Sequence, residues 1–201
     1  MKATELGIDG AWLFEPPTFP DHRGSFTAPF QGPAFRAALG FDLHVAQTNQ
    51  SVSHRGVIRG VHFADVPPGQ AKYLWIAAGA VRDVVVDLRV GSATFGRHEV
   101  VELDAASPRA VYLAEGLGHA FQALADHTVV GYLCSASYDP AREHGITPLD
   151  PDLALPWSED VEPVLSGKDA AAPTLRHARD TGMLPSREAC DDRYEAMRTT
   201  R

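Results

Sequence analysis

Short strand patterns follow one another with little space between them in the middle of the chain, and this feature limits the fold more than any other. Six apolar or alternating runs end at turn residues after only four to eight positions: 73–76, 81–88, 99–103, 110–113, 119–124 and 128–135. In the second run, Val84, Val86 and Leu88 form one apolar face, while Asp83 and Asp87 share the other with Val81 and Val85. Many short strands with almost no helix between them predict an all-β sandwich or barrel.

The segments before and after these strands have different residue patterns. A short helix is predicted over 31–39, because Pro33 lies near its start and Gly40 follows its end. A strand over 44–52 carries Gln47 and Asn49 on one face, which suits either solvent or the polar lining of a barrel. Residues 166–169 read as a turn, and 174–182 and 186–201 as charge-mixed helices. We expect one domain over 1–201, with a β core over about 1–165 and a helical appendage over about 166–201.

Charge and composition exclude several classes of protein. The 201 residues carry a net charge of -8, which argues against a nucleic-acid or anionic-membrane surface but leaves a small anionic ligand open. The N-terminus lacks an apolar signal region, and no window approaches the length of a transmembrane helix. The two cysteines, Cys134 and Cys190, are far apart and outside any CxxC context, so free thiols and a cytoplasmic location are expected.

Three basic residues of different chemistry flank a Pro-Pro-Gly turn. Residues 56–73 read as a strand, a turn that uses Gly69 at a positive φ, and the start of a second strand. This pattern predicts that Arg59, His62 and Lys72 lie on neighbouring strands, close to one another. Taken alone, the triplet is better explained as two solvated charges beside a core histidine.

The polar residues together describe an acid–base site. A histidine in an apolar barrel can be neutral at physiological pH, which suits His62 as a general base. Lys72 could stabilise a developing oxyanion, a contribution typically of about 3–4 kcal/mol. Tyr132 could return a proton from the opposite face, although it also fits an ordinary core aromatic. Proton removal beside a carbonyl, with return on the other face, is an epimerisation.

A catalytic metal is the competing hypothesis for the same histidines. Residues 114–119, ending in His119, resemble the second half-motif of cupin jelly rolls, where a turn delivers a metal-binding histidine. Metal-binding cupins usually also offer His-x-His and a glutamate in the first half-motif. Here Phe63 and Ala64 follow His62, and two histidines alone make a poor divalent site. We therefore expect no catalytic metal, and the family resemblance described below implies no other cofactor.

The motifs, taken in order, resemble the dTDP-4-keto-6-deoxyglucose 3,5-epimerases, which are cupin enzymes of dTDP-L-rhamnose and related deoxysugar biosynthesis. The resemblance covers about 1–184 and rests on Asp21-x-Arg23-Gly24-x-Phe26, Gln47-x-Asn49, residues 56–62, residues 70–72, Asp83-x-x-x-Asp87-x-Arg89, residues 92–96, Gly116-x-Gly118-His119, Tyr132, Tyr138-x-Pro140-x-x-Glu143, Asp150-Pro151 and Ser166-x-Lys168-Asp169.

The resemblance implies a cupin jelly roll and a role for each site residue. His62 would be the base, oriented by Asp169; Lys72 would hold the C4 oxygen, and Tyr132 would be the acid. The implied substrate-binding residues are Arg23, Phe26, Gln47, Asn49, Arg59, Asp83, His119, Tyr138, Glu143 and Lys168. Of these, Arg59 and Arg23 would contact the diphosphate of a dTDP-linked 4-keto-6-deoxy sugar.

The resemblance also implies a homodimer in which the N-terminal strand crosses to the partner, so that Arg23 serves the neighbouring site. The chain departs from the family at Ala28, where a glutamate is usual, and this resembles the branch that makes antibiotic deoxysugars. Members of that branch epimerise C3 and C5 or only one of them. Two other classes stay open: a cupin isomerase that moves the keto group between C3 and C4, and a sugar-nucleotide binder without catalysis.

Overall fold

The computed structural model describes residues 1–199, which form thirteen strands and four helices. The strands are β1 (Lys2–Glu5), β2 (Ala11–Glu15), β3 (Thr18–Asp21), β4 (Gly24–Thr27), β5 (Gln47–Ser53), β6 (Ile58–Ala64), β7 (Lys72–Ala78), β8 (Ala80–Asp87), β9 (His98–Asp104), β10 (Ala110–Leu113), β11 (Leu117–Ala123), β12 (Thr128–Cys134) and β13 (Glu143–Gly145). The helices are α1 (Gly32–Leu39), α2 (Gly167–Ala170), α3 (Leu175–Asp180) and α4 (Arg187–Thr199).

Two antiparallel sheets carry the fold. The six-stranded sheet has the order β1-β2-β10-β7-β12-β5, and the five-stranded sheet has the order β13-β6-β11-β8-β9. Strands β3 and β4 form a separate two-stranded hairpin. An apolar cluster with members from both sheets, including Leu74, Val85, Leu117 and Phe121, forms the inner core. This arrangement is the predicted all-β jelly roll, with short helices outside it.

Strands β6 and β7 belong to different sheets, and here the sequence-based prediction of neighbouring strands is wrong. Strand β6 pairs with β11 and β13, whereas β7 pairs with β10 and β12. The residues between them form a crossover between the sheets in place of a hairpin. Gly69 does take the predicted positive φ, 74°, and a side chain there would collide with Glu115. Side chains of β6 and β7 can therefore meet only across the interior of the barrel.

Helices α1 and α4 cover the outer face of the six-stranded sheet. Helix α1 begins beside Pro33 and ends at Gly40, which has a φ of 85°, as predicted from the sequence. Its Phe35 is fully buried and contacts the rings of Phe14, Tyr73 and Tyr112. Helix α4 adds Cys190 and Tyr194 to the same cluster. The helices thus complete the second apolar layer on this side of the barrel.

The five-stranded sheet is covered by the segment that follows β13. Val84, Val86 and Leu88 pack outward against Leu153, Leu175, Ala178 and other residues of this segment, whereas Val81 and Val85 face the inner core. The two faces predicted for this strand are therefore confirmed. Asp150 fixes the covering segment, because its carboxylate accepts hydrogen bonds from the backbone amides of Leu153 and Leu175.

The terminal regions contain more regular structure than the sequence indicated. Residues 1–21 form three strands, β1, β2 and β3. The predicted turn at 166–169 is a short helix, α2, whose N-cap Ser166 accepts a hydrogen bond from the amide of Asp169. The two predicted C-terminal helices are present as α3 and α4, and residues 200 and 201 lie outside the described part. No helix within residues 1–199 has the length and apolar character needed to cross a membrane.

Candidate active site

A cavity of about 450 Å³ opens between the two sheets and is called the inter-sheet cavity below. It is lined by Gln47, Asn49, Val57, Ile58, Arg59, His62, Gln70, Lys72, Tyr132, Tyr138, Glu143, His144, Val164, Leu165, Ser166, Lys168 and Asp169. Ten of the fourteen predicted site residues are among them. Strands β6 and β13 approach from one sheet, β5, β7 and β12 from the other, and α2 from the covering segment.

His62 and Asp169 form a hydrogen-bonded pair in this cavity. The His62 Nε2 atom lies 2.7 Å from Asp169 Oδ1, and the histidine side chain is 34% exposed while the carboxylate is 7% exposed. Burial opposes ionisation of Asp169, but hydrogen bonds from His62 and Ser166 outweigh it and lower the pKa of the carboxyl group. A charged Asp169 favours the tautomer with the proton on Nε2, which leaves the Nδ1 lone pair of His62 to accept a proton.

Lys72 places a buried ammonium group in the cavity wall opposite. Its residue is only 8% exposed, and burial lowers the pKa of its amine, with partial compensation from Cys134 and Glu143. Within residues 1–199 no side chain forms a hydrogen bond with its Nζ atom. The group therefore has donors free for a ligand oxygen, in surroundings where such a contact is stronger than in water.

Tyr132 lies on the same sheet as Lys72, beside a row of hydrogen-bonded amide side chains on β5. It is paired in register with Asn49 of β5, whose Nδ2 atom donates a hydrogen bond of 3.5 Å to Cys134 Sγ. The Asn49 Oδ1 atom accepts a hydrogen bond of 2.7 Å from Gln47, whose own Oε1 accepts one of 3.0 Å from the amide of Tyr138. Burial raises the pKa of Tyr132, and the neighbouring Asn49 side chain opposes this only in part. The phenol is thus a proton donor at neutral pH.

The rim of the cavity carries polar groups of both charges. Arg59 is anchored to the end of β5 by hydrogen bonds to the Ser53 hydroxyl group and the Val52 carbonyl group. Glu143 accepts a hydrogen bond of 3.0 Å from Gln70. Lys168 is exposed at the mouth, and Tyr138 is also exposed. A cationic group on each side of the opening suits an anionic ligand whose uncharged end reaches the interior.

Four predicted site residues do not line the cavity. The buried Asp83 of β8 and the partly exposed His119 of β11 form a pair, with the carboxylate 2.7 Å from His119 Nε2. Neither is among the residues that line the cavity, although His119 is paired in register with the lining residue His62, and their role in substrate binding stays a prediction. Arg23 and Phe26 lie on the exposed β3–β4 hairpin, outside the cavity, and their side chains are largely exposed.

The structure also brings residues to the cavity that the sequence analysis did not select. His144 of β13 lines it and is hydrogen-bonded to Asp65 through Nε2 at 2.8 Å. A three-residue strand leaves no periodic signal, so this histidine could not be placed from sequence. Within residues 1–199 no three His, Cys, Asp or Glu side chains are grouped so that they could hold a metal ion.

Comparisons with known proteins identify the family of the chain. The sequence model of the family described as dTDP-4-dehydrorhamnose 3,5-epimerase matches residues 5–177. A dTDP-4-dehydro-6-deoxyglucose 3-epimerase of Streptomyces bikiniensis is 52% identical over 193 residues, which cover 96% of this chain and 98% of that protein. A dTDP-4-dehydrorhamnose 3,5-epimerase of Mycobacterium tuberculosis is 48% identical over 202 residues, covering 100% of both chains.

Solved structures extend the comparison to the fold. The rmlC epimerase of Mycobacterium tuberculosis superposes with a TM-score of 0.96 at 48% identity and covers 98% of this chain and 100% of that one. The 3'-monoepimerase ChmJ of Streptomyces bikiniensis, in complex with dTDP-quinovose, superposes with a TM-score of 0.94 at 52% identity, covering 96% and 98% of the two chains. With matches over nearly its whole length in sequence and in fold, the chain belongs to the dTDP-4-dehydrorhamnose 3,5-epimerase family.

Proposed function

We propose that this protein epimerises a dTDP-linked 4-keto-6-deoxyhexose at C3, at C5 or at both, without a metal or a nicotinamide cofactor. The observation that carries the proposal is the His62–Asp169 pair, which shares a cavity with the free ammonium group of Lys72 and the phenol of Tyr132. These are a base, an oxyanion donor and an acid. The named substrates of the related Streptomyces and Mycobacterium proteins support the choice of sugar nucleotide.

The proposed reaction is a proton transfer in two steps. His62 Nδ1 takes the proton from the carbon beside the C4 carbonyl group, and the electron pair of that C–H bond moves into an enolate. Lys72 Nζ donates a hydrogen bond to the enolate oxygen, where negative charge develops. Tyr132 then gives its hydroxyl proton to the opposite face of the same carbon, and the carbonyl group reforms. Solvent returns a proton to Tyr132 and removes one from His62, so there is no net oxidation or reduction.

Lys72 and His62 act from different sheets in this proposal, and Tyr132 acts from the sheet of Lys72. Because β6 and β12 lie on opposite walls of the cavity, a sugar ring between them presents one face to His62 and the other to Tyr132. Inversion of a carbon centre requires this placement of base and acid. The nucleotide end would then lie towards the rim, near Arg59, Tyr138 and Lys168.

We further propose a homodimer in which the β3–β4 hairpin completes the partner's site. Every residue of β3 is exposed, as are three of the four residues of β4, and Phe19 and Phe26 are 59% and 67% exposed. Isolated hairpins of this kind are marginal in water. Strand β5, whose Val52 is also exposed, forms an edge of the six-stranded sheet. An edge strand with exposed apolar side chains is a natural partner for such a hairpin.

The relatives divide between two outcomes, and this chain is about equally similar to both. The Streptomyces bikiniensis relative is named a 3-epimerase, and the Mycobacterium relative a 3,5-epimerase. Both reactions use the same groups, because C3 and C5 both flank the C4 carbonyl group. The difference lies in which of the two carbons is presented to His62 and for how long the ring stays bound. Epimerisation of C3 alone is therefore the second candidate function.

The test is incubation of the protein with dTDP-4-keto-6-deoxyglucose in heavy water, followed by mass and NMR analysis of the sugar. Deuterium at C3 and C5 is expected for a double epimerase, and deuterium at C3 alone for a mono-epimerase. A product whose keto group has moved to C3 would instead identify a ketoisomerase. Absence of exchange at every carbon, while dTDP still binds, would contradict epimerisation of this sugar.

The base is tested separately by the change His62→Ala. Turnover is expected to fall below detection, while the affinity for dTDP changes by less than about threefold, because the nucleotide contacts lie at the rim. Calorimetry with dTDP gives the affinity, and the exchange experiment gives the turnover. Wild-type turnover in this variant would exclude His62 as the base. Equal loss of turnover and dTDP affinity would point to a binding role instead.

A further inference from the structure

A second cavity of about 300 Å³ lies on the outer side of the six-stranded sheet, between helix α4 and the chain that leads from α1 to β5. We call it the outer cavity. Its lining residues are Phe41, Asp42, Leu43, His44, Ala71, Tyr112, Glu115, Ser135, Arg193, Ala196 and Met197. None of these residues lines the inter-sheet cavity, although Ala71 precedes Lys72 in the chain.

Three buried polar atoms without a hydrogen-bond partner converge on the outer cavity. They are the Tyr112 hydroxyl oxygen, Glu115 Oε2 and Arg193 Nε. Tyr112 and Glu115 are 1% and 0% exposed, so bulk water does not compensate for the missing partners. A buried polar atom without a partner destabilises the folded protein, and three at one place therefore call for an explanation.

The contacts that these groups do make are loose. Arg193 Nε lies 3.9 Å from Glu115 Oε1, close enough for charge attraction but too far for a hydrogen bond. The Ser135 hydroxyl group lies 3.4 Å from the same Oε1 atom, at the outer limit for a hydrogen bond. The space between these side chains can therefore admit further donor and acceptor atoms.

Glu115 itself is held firmly in place. Its backbone carbonyl group accepts a hydrogen bond from the Tyr194 hydroxyl group of α4. Its side-chain stem occupies the space left by Gly69, where an added Cβ would come within 2.4 Å of Glu115 Cγ. A carboxyl group fixed in this way cannot turn to find another partner. Burial also raises the pKa of this carboxyl group, and the nearby Arg193 and Ser135 offset that rise only in part.

The charges around the outer cavity favour a neutral ligand. Glu115 would repel an anion, and Arg193 would repel a cation. Asp42, at the open edge, is already paired with Arg36 of α1. The unpartnered atoms comprise donors and an acceptor, which hydroxyl groups can satisfy together because each both donates and accepts. The rings of Phe41 and Tyr112 add apolar surface for the C–H face of such a molecule.

We propose that the outer cavity binds a small neutral molecule with several hydroxyl groups, of the size of a monosaccharide or sugar alcohol. One hydroxyl group of the ligand would accept from Arg193 Nε and donate to Glu115, and another would pair with the hydroxyl group of Tyr112. This site is separate from the sugar-nucleotide site and does not depend on the proposed epimerisation.

The test measures binding of D-glucose and of sorbitol to the whole protein by saturation-transfer NMR, with dTDP present to occupy the inter-sheet cavity. Saturable binding of at least one probe is expected. Tyr112→Phe removes only an unpartnered hydroxyl group and should weaken that binding about tenfold, the equivalent of about 1.4 kcal/mol. The matched control is Tyr73→Phe, which removes a buried hydroxyl group that is bonded to Pro29 outside the cavity, and it should leave probe binding unchanged.

Other outcomes overturn the proposal. If neither probe shows saturable binding up to about 0.1 M, the cavity holds water alone. Binding that is equally strong in Tyr112→Phe lies elsewhere on the protein. Acetate or methylammonium that binds more tightly than the neutral probes, with the same dependence on Tyr112, would refute the argument from charge. Turnover and melting temperature of Tyr112→Phe should match the wild type, and this separates a failure here from a failure of the proposed function.

Discussion

His62 Nε2 lies 2.7 Å from Asp169 Oδ1, although the two residues are 107 positions apart in the chain. The histidine belongs to a strand in the first third of the sequence, whereas the carboxylate belongs to a four-residue helix that follows the last strand. The orientation of the proposed base is therefore set by the C-terminal segment, and it is complete only after that segment has packed on the five-stranded sheet.

Asp169→Asn tests this orientation. The amide cannot hold the imidazole in the Nε2–H tautomer as a carboxylate does, and kcat is expected to fall roughly 10²- to 10⁴-fold with little change in KM. The matched control is Asp65→Asn, which alters the His144 pair at the same cavity and should change kcat by less than about fivefold. Steady-state kinetics decide the matter. If kcat falls equally in the two variants, the result does not favour His62 over His144 as the base.

Tyr132→Phe should separate the two proton transfers. The phenyl ring keeps its place in the cavity but cannot return a proton, so epimer formation should fall about 10²-fold or more. Removal of the substrate proton by His62 should be less affected, and deuterium should still enter the recovered substrate in heavy water. NMR integration of substrate and product measures both rates. An equal decrease in exchange and epimer formation would count against an acid role for Tyr132.

Lys72→Met should stabilise the protein while it removes activity. Burial lowers the pKa of Lys72 in the folded state, so the unfolded chain binds the proton more tightly and a charged Lys72 costs stability. This cost is fully present below the folded pKa and disappears as the pH rises towards the ordinary value of 10.5. Urea unfolding at pH 7 should show a gain of about 1 kcal/mol or more for Lys72→Met, and a smaller gain as the pH approaches 10.

The exposed Lys168→Met serves as the control for that experiment, because its ammonium group is already solvated, and it should leave unfolding unchanged within about 0.5 kcal/mol. Loss of the Lys72 hydrogen bond should lower kcat by roughly 10²- to 10³-fold. A destabilised Lys72→Met at pH 7 would mean that unrecognised contacts favour the charged form.

Mixed dimers test whether Arg23 serves the partner's site. Arg23→Ala and His62→Ala should each reduce activity when produced alone. In a hybrid dimer with crossed hairpins, one site combines an intact His62 with an intact Arg23, so co-expression of two tagged variants should yield active hybrids. If Arg23 acts within its own subunit, both hybrid sites carry one defect and activity stays low. A single-subunit mass in solution would refute the dimer itself.

The sequence predicted secondary structure correctly where residues within the element itself determine it. Helix α1 ends at Gly40 because a left-handed residue is needed there, and the faces of β8 follow from its alternation. The assignment of β6 and β7 to one hairpin failed because the same turn residues can end a hairpin or begin a crossover. Sheet partnership is decided by long-range packing, for which a single strand carries no signal.

The residues of the site likewise divide into those that the sequence predicts and those that depend on long-range packing. Ten predicted residues lie in the inter-sheet cavity, and most of them came from motifs that name residue types in order. Asp83 and His119 could not be distinguished from lining residues, because both face inward on strands of the same sheet, and only their depth separates them. The hydrogen-bond row from Tyr138 to Gln47 to Asn49 required the register of β5 against β12, which no motif specifies.

The division of His62 and Lys72 between two sheets gives the outer layers of the barrel an influence on specificity. Residues of α3 pack behind the sheet that carries His62, and Phe35 of α1 packs behind the sheet that carries Lys72. Because the layers are close-packed, we expect a change of side-chain volume in either one to shift one sheet against the other and to alter the width of the inter-sheet cavity. Substitutions that do not contact the ligand can thus change whether one carbon or two are inverted. Evolution towards a new sugar substrate can therefore use residues outside the cavity wall as well as those that line it.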